Sequence, residues 1–249
     1  MAEGRLIPHH GEAIVLRTWP FHEADLLISF FTRDQGKVKG VARHAMKSRR
    51  RFGGALEPAT HVRAHYTERP RQELVRLDNF EILWSPLTAP VDYLRTAGLQ
   101  LVVEVLEEAM PDLAPEDNIF RLALATLTAM QADSVWLPVT YFCLWMNRLM
   151  GWMPELGHCA VCGLDLRGQT VWWSPAGDGV TCHDDRRSGS RPLSAESVAE
   201  SYRIARSSLP QLAEESWSEG RAKDLRAFAI GTLERHLERR LRSAVALQR

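Results

Sequence analysis

One segment of the sequence concentrates positive charge. Residues 36–51 contain seven basic side chains and no acidic one, in a chain of 249 residues whose formal net charge is zero. Clustered Lys and Arg side chains can neutralise the phosphates of a nucleic acid, although a basic loop can also serve solubility alone. The segment is therefore a candidate phosphate-binding site, and its basic residues are Lys37, Lys39, Arg43, Lys47, Arg49, Arg50 and Arg51.

Three of the four cysteines have the spacing of a metal site. Cys159 and Cys162 are followed by a glycine, as in one half of a zinc knuckle. The second half would need Cys-x-x-Cys, but the chain has Cys182 and then Asp185. The spacing leaves two possibilities open: one structural zinc ion with a fourth ligand other than cysteine, or a site that has lost its metal. Alternatives to Asp185 as the fourth ligand are His158, His183 and Asp184.

No catalytic constellation accompanies these two sites. The glycine pairs at 53–54 and 177–179 fit neither a dinucleotide-binding nor a Walker sequence, and no Gly-x-Ser-x-Gly or His-Glu-x-x-His occurs. Cys143 falls on the apolar stripe of a predicted helix, which indicates a buried small side chain and not a nucleophile. We therefore expect a protein that is not an enzyme, with a zinc ion that is structural where it is bound.

The basic segment lies among predicted β-strands. Five short strands in about seventy residues predict a small barrel such as an OB-fold, although an SH3-like barrel would give much the same pattern. In the third strand Lys37, Lys39 and Arg43 share one face, and the other four basic residues follow on a loop. The strands are predicted at 13–18, 26–32, 37–43, 61–66 and 73–80.

A phosphate backbone could follow this basic face across an OB-fold groove. Arg63 on the fourth strand completes the predicted DNA-binding set. Phe52 and Tyr66 are candidate platforms for stacking bases. Tyr66 can equally belong to the core, because it shares a strand face with Val62.

From about residue 90 the apolar spacing becomes helical. Residues 155–193 read as an irregular insertion that carries the cysteines, with Trp172 and Trp173 in a short hairpin. The predicted fold class is α+β: an OB-fold barrel over 1–86, then an all-helical domain over 87–249 with a small zinc-knuckle-like insertion. The main helices are predicted at about 94–109, 119–130, 135–150 and 221–241.

Charge is distributed unevenly along the chain. Residues 1–85 carry 14 basic and 10 acidic side chains, residues 86–153 carry 3 and 8, and residues 154–249 carry 14 and 13. A basic first third fits a nucleic-acid-binding face. No run of eighteen apolar residues and no signal-peptide pattern is present, and the cysteine spacing suits a reducing compartment. A cytoplasmic protein without a membrane partner is expected.

The order of these parts resembles the bacterial recombination mediator family RecO. No single motif is unique to that family, but their order and spacing together are specific and cover nearly the whole chain. The matching stretches are Ala13-Ile-Val-Leu-Arg17, Glu23-Ala-Asp-Leu26, Phe31-Thr-Arg-Asp-Gln-Gly-Lys-Val-Lys-Gly-Val-Ala-Arg43, Leu56-Glu-Pro58, Leu149-Met-Gly-Trp-Met-Pro-Glu-Leu156, Cys159-x-x-Cys162-Gly and, more weakly, Arg240-Leu-Arg-Ser243.

The resemblance implies a non-catalytic, nucleoid-associated protein that binds single- and double-stranded DNA and anneals complementary strands. Its implied partners are RecR and the C-terminal tail of single-stranded DNA-binding protein, and with RecR it would load RecA onto coated DNA. The resemblance also implies an N-terminal OB-fold, a helical C-terminal domain and, in some members, a four-cysteine zinc knob. This chain departs from that knob at Asp185.

The residues alone leave other functions open. A protein-docking adaptor could use the barrel mainly to hold another protein, with DNA binding incidental. An RNA-binding barrel could present the same basic face to structured RNA. An unrecognised zinc enzyme is the least expected of the alternatives.

Overall fold

A computed structural model describes residues 6–47, 51–69, 72–88, 92–131 and 134–247 of the chain. The described residues form an α+β fold in which five strands precede the helices, as predicted. Two compact units are present, one up to Leu127 and the other from Thr128 onward. The first unit therefore contains helical residues as well as the strands, and the predicted domain boundary between residues 86 and 87 stays a prediction.

The five strands of the first unit form a barrel. The first three pair in antiparallel order, β4 pairs antiparallel with both β1 and β5, and β3 pairs with β5 in parallel. The order β1-β2-β3-β5-β4 thus returns to β1. The strands are β1 (Ile7–Phe21), β2 (Asp25–Thr32), β3 (Gly36–Ala42), β4 (His61–Glu68) and β5 (Val75–Trp84).

The barrel interior follows from the alternation of side chains along the strands. Successive side chains point to opposite faces, so every second apolar residue lies inside, where each large one contributes roughly 1.5–3 kcal/mol. Gly40 lies where β3 meets β5, and a Cβ there would be 2.6 Å from Cγ2 of Val75. A small residue is therefore required at the short seam between these strands, which runs from Gly40 to Ala42 of β3. Buried interior residues include Val15, Ile28, Phe30, Val38, Val62, Ala64, Leu77 and Phe80.

The first unit continues into helix α1 (Tyr93–Ala109), and helix α2 (Asp117–Ala129) follows. Asp92 caps α1, since its side chain accepts a hydrogen bond from the backbone N–H of Arg95 at 2.6 Å. The segment between the two helices crosses the β2–β3 hairpin. Leu113 there donates its N–H to the carbonyl oxygen of Lys37 at 3.0 Å.

The second unit contains the remaining helices, α3 (Trp136–Leu149), α4 (Ala195–Ile204), α5 (Leu209–Ala213) and α6 (Lys223–His236). The predicted helix over 221–241 is shorter at both ends. Glu238, with a positive φ of 54°, lies just beyond its C-terminal end. None of the helices in the described ranges is long and apolar enough to cross a membrane.

The insertion contains a small sheet where a hairpin was predicted. Its central strand β6 (Val171–Trp173) pairs with β7 (Val180–Thr181) on one side and β8 (Arg191–Leu193) on the other. One face packs inward, because Val171, Trp173 and Leu193 are buried. The sheet and the cysteine loops beside it are called the knob below.

Candidate nucleic-acid interface and metal centre

The first half of the predicted basic face has acidic neighbours, and Lys37 within it is buried. Lys37 is 8% exposed, and its ammonium group donates to the carbonyl oxygen of Glu107 at 2.7 Å. It also lies 3.3 Å from the carboxylate of Asp112, which Lys39 approaches to 3.2 Å. This differs from the expected phosphate-binding face. Both ammonium groups are engaged by the end of α1 and the segment after it.

The same region brings the acidic middle of the sequence against the basic barrel. Arg33 donates from Nε to Asp117 at 2.6 Å, and Ser29 donates from its hydroxyl to the Glu107 carboxylate at 2.5 Å. The exposed Arg33–Asp117 ion pair contributes about 0–1 kcal/mol, so it orients the segment more than it stabilises it. The charge difference between the first and second thirds of the chain is therefore partly neutralised within the first unit.

The second half of the basic segment has different surroundings. Arg43, just beyond β3, and Lys47 are exposed. Arg51 is half-buried, donates to the carbonyl oxygen of Arg43 at 2.6 Å and lies 5.1 Å over the ring of Phe52. Arg49 and Arg50 lie outside the described residues. Among the described residues of this segment, Arg43 beside the end of β3 and Lys47 carry the exposed positive charge.

A groove of about 540 Å³ opens beside Arg43. Two further arginines line it: Arg69, just beyond β4, and Arg76 on β5. Nε of Arg69 is buried and has no hydrogen-bond partner within the described chain. Arg76 is paired with Asp78 at 2.8 Å. Three arginines at or beside the ends of three strands therefore line one open groove, which we call the arginine groove.

The arginine groove also has an aromatic wall and acidic members. Phe21 and His22, at the end of β1, contact each other edge to face at 4.2 Å between ring centres. Asp25 lies in the lining but accepts a hydrogen bond from the backbone N–H of His44 at 2.7 Å. Glu73 is exposed at the rim. The groove can offer cations to phosphates and a ring to a base.

The other predicted contacts lie elsewhere. Arg63 is exposed, but it points away from the barrel core and lies 3.5 Å from Glu81 of the neighbouring strand. Phe52 and Tyr66 are 2% and 5% exposed and belong to the barrel core. Tyr66 stacks on His9 at 5.1 Å, and burial raises its pKa to about 12. Neither ring presents a face to a base, and for Tyr66 the core was the alternative that the sequence left open.

Arg69, Arg76 and Phe21 were missed by the sequence reasoning. Each is a single residue at or near a strand end, with no local cluster to mark it. Their convergence depends on the parallel seam between β3 and β5, which joins residues about thirty-five positions apart. The exposed position of Arg43 after the third strand was the only local signal for this groove.

The metal-ligand candidates meet at one point of the knob. Oδ2 of Asp185 lies 3.2 Å from Sγ of both Cys159 and Cys182, and Sγ of Cys162 lies 3.9 Å from that of Cys182. A tetrahedral zinc ion with Zn–S bonds of about 2.3 Å separates its sulfur ligands by about 3.8 Å. All four ligand atoms lie within 4.8 Å of one another. The set fits one structural zinc ion.

The geometry selects Asp185 among the possible fourth ligands. His158 is paired with Glu155 at 2.6 Å, and His183 with Asp184 at 3.2 Å, both on exposed surface. Neither histidine nor Asp184 belongs to the cluster of four. A carboxylate therefore completes the site in place of a fourth cysteine.

The three thiols of the cluster share hydrogen bonds to one carboxylate, that of Asp185. The hydrogen bond to Asp185 raises the pKa of Cys162 to about 12, while hydrogen bonds from Cys162, Cys159 and Cys182 lower the pKa of Asp185. A zinc ion would displace the thiol protons, because it binds thiolates. Cys143 is separate: it is fully buried, and burial raises its pKa to about 12, which keeps it an unreactive thiol.

Comparison with known proteins assigns the family. The family described as "Recombination protein O N terminal" matches residues 6–86, and "Recombination protein O C terminal" matches residues 90–244. A DNA repair protein RecO from Koribacter versatilis (strain Ellin345) is 50% identical over 239 residues, which cover 96% of this chain and 98% of that protein. The chain belongs to the RecO family.

More distant RecO proteins match over much of their length. The DNA repair protein RecO of Anaeromyxobacter sp. (strain K) is 32% identical over 231 residues, which cover 92% of this chain and 91% of the relative. That of Geobacter sulfurreducens (strain ATCC 51573 / DSM 12127 / PCA) is 31% identical over 192 residues, covering 77% and 78%. The resemblance seen in the sequence is confirmed, and the chain is a DNA repair protein of a recombination family.

Proposed function

We propose that this RecO protein is a non-catalytic recombination mediator. It binds single- and double-stranded DNA and anneals complementary strands. With RecR it helps load RecA onto DNA coated with single-stranded DNA-binding protein, whose C-terminal tail it engages. Family membership supports the repair role, and the same role places the protein at the nucleoid in the cytoplasm.

The observation that carries the proposal is the arginine groove. Arg43, Arg69 and Arg76 come from three different strand ends and line one open depression. Guanidinium groups bind phosphate oxygens through paired, charge-assisted hydrogen bonds. A phosphate is therefore the ligand that best matches this lining.

The surroundings of the groove suit a strand longer than one nucleotide. Phe21 and His22 offer rings beside the cations, as single-strand-binding barrels do. Lys47 and Arg51 follow Arg43 between β3 and β4. The loop could follow the phosphate backbone away from the groove. In this proposal Lys37 and Lys39 serve the barrel's packing in place of DNA.

Strand annealing is the test that reports on the whole proposal. Complementary strands coated with single-stranded DNA-binding protein should anneal faster with the full-length protein than without it. The rate should fall when Arg43, Arg69 and Arg76 are replaced by Gln. Normal DNA annealing by that variant would contradict the assignment of the arginine groove as the DNA-binding site. Binding of structured RNA in preference to DNA would favour the RNA-binding alternative. Absence of DNA binding alongside retained RecR binding would favour the adaptor.

A further inference from the structure

The outer face of the knob sheet carries a large aromatic side chain. Trp172 of β6 is paired with Thr181 of β7 and Pro192 of β8, so these three side chains share one face. The neighbouring Trp173 points the other way and is buried against Phe228. Trp172 is half-buried on the face that the core does not use. A tryptophan that is partly exposed to solvent is typical of binding surfaces.

The loop that carries Cys182 and Asp185 places two side chains against this tryptophan. The guanidinium carbon of Arg186 lies 4.8 Å from the centre of the Trp172 ring. The His183 ring contacts the Trp172 ring edge to face, with 6.0 Å between the two ring centres. Arg186 directly follows Asp185, and His183 directly follows Cys182. A metal ion held by these two ligands would fix the loop that carries both groups. The ring, its covering cation and the metal centre thus form one unit.

Two arginines of this loop have no acidic partner within the described residues. Arg186 and Arg187 are exposed, and within the described residues neither guanidinium has an ion pair or a hydrogen bond. Arg167 of the same knob differs, since it is paired with Asp165 at 2.5 Å. The exposed Asp184 is the nearby acid, and it is paired with His183. The loop therefore presents free positive charge next to an aromatic ring.

We propose that Trp172, Arg186 and Arg187, here called the knob face, form a second contact for single-stranded DNA. The inference rests on the proposed DNA-binding function. An unstacked base would lie on Trp172, where Arg186 now covers the ring, while the two guanidinium groups bind adjacent phosphates. Duplex DNA keeps its bases stacked and cannot use the ring, so the knob face favours single strands.

The test uses the full-length, zinc-loaded protein and fluorescent oligo(dT) of about 40 nucleotides, long enough to reach more than one contact. Trp172→Leu should weaken binding at least about fivefold, because one stacked base contributes about 1–3 kcal/mol. Arg186→Gln should also weaken binding at least about fivefold, because it removes a charge-assisted bond to a phosphate. Arg167→Gln is the matched control: it removes the same charge from the same knob but breaks only an existing ion pair. It should change affinity less than about twofold.

Metal dependence supplies a second readout. Asp185→Ala should lower the bound zinc and weaken oligo(dT) binding to the same degree as Arg186→Gln, whereas Asp185→Cys should retain both. Duplex affinity should stay unchanged for Trp172→Leu. The proposed role of the knob face is wrong if Trp172→Leu and Arg186→Gln, each with full zinc content, bind oligo(dT) as tightly as the wild-type protein does. If the wild-type protein does not bind DNA at all, the proposed function itself fails.

Discussion

The two ends of strand β3 carry similar charges in opposite surroundings. At its start, Lys37 is buried and contacts Glu107 and Asp112. At its end, Arg43 is exposed and shares an open groove with Arg69 and Arg76. A run of basic residues is therefore not one site. What each charge can bind is decided by the acids that the fold places within reach, and those come from α1 and the segment after it.

The two ends should consequently respond to different measurements. Charges that hold the barrel to its own helix should matter for folding, and charges in the arginine groove should matter for DNA.

The largest effect is expected at the groove. Replacing Arg43, Arg69 and Arg76 together by Gln removes three phosphate ligands, and each charge-assisted bond contributes about 1.5–3 kcal/mol, or about tenfold or more in affinity. The salt slope for single-stranded DNA should also flatten by about 2. Fluorescence anisotropy at several salt concentrations measures both. The control is Arg63→Gln, exposed on the same barrel and paired with Glu81, which should leave affinity nearly unchanged. A loss in the control of about one third of the binding free energy lost in the triple variant would show that only total charge matters.

The opposite end of β3 should show a loss of stability. Lys37→Met keeps the apolar stem but leaves the carbonyl of Glu107 without its donor, which should lower the free energy of unfolding by about 1–3 kcal/mol. DNA affinity measured below the unfolding temperature should change less than about twofold. Urea unfolding and anisotropy on the same preparation test the pair of statements. Unchanged stability with weakened DNA binding would return Lys37 to the DNA-binding site.

The smallest effect is expected from a substitution that would let the start of β3 bind DNA. Asp112→Asn removes the carboxylate shared by Lys37 and Lys39. Lys39, which is partly exposed, would then be free to meet a phosphate, and affinity for DNA should rise by about twofold at low salt. The increase should disappear in the double variant Asp112→Asn with Lys39→Gln. No increase at low salt would mean that the lysines at this end lie too far from the bound strand.

Much of the fold could be read from local patterns. Alternation placed β2 to β5 close to their observed bounds but predicted only residues 13–18 of β1, which spans Ile7–Phe21. Gly36 marked the turn of the β2–β3 hairpin, where it has a φ of +74°. The Cys-x-x-Cys spacing located three metal ligands, because knuckle ligands lie close together in sequence. The small sheet of the knob was harder, since strands of two or three residues leave little periodicity.

The candidate site was predicted only in part, for a physical reason. Charge is visible in a sequence, but the partner that neutralises it is not. Lys37 and Arg43 looked alike because they share a strand face, and Glu107, seventy positions beyond Lys37, distinguished them. Phe52 likewise looked available in a basic loop and is buried among apolar residues of the barrel.

Periodicity and short spacings are local properties of the chain, so they were enough to predict the class of fold, the family and the cysteine ligands. Three other features follow only from the folded chain: which basic residues are exposed, which carboxylate completes the metal set and where the arginine groove lies. Those outcomes depend on segments distant in sequence meeting in space: β3 against β5, the α1–α2 segment against the hairpin, and Asp185 against Cys159. Within the basic run, the fold buries Lys37 and leaves Arg43 exposed, and the proposed DNA-binding site lies at the exposed end.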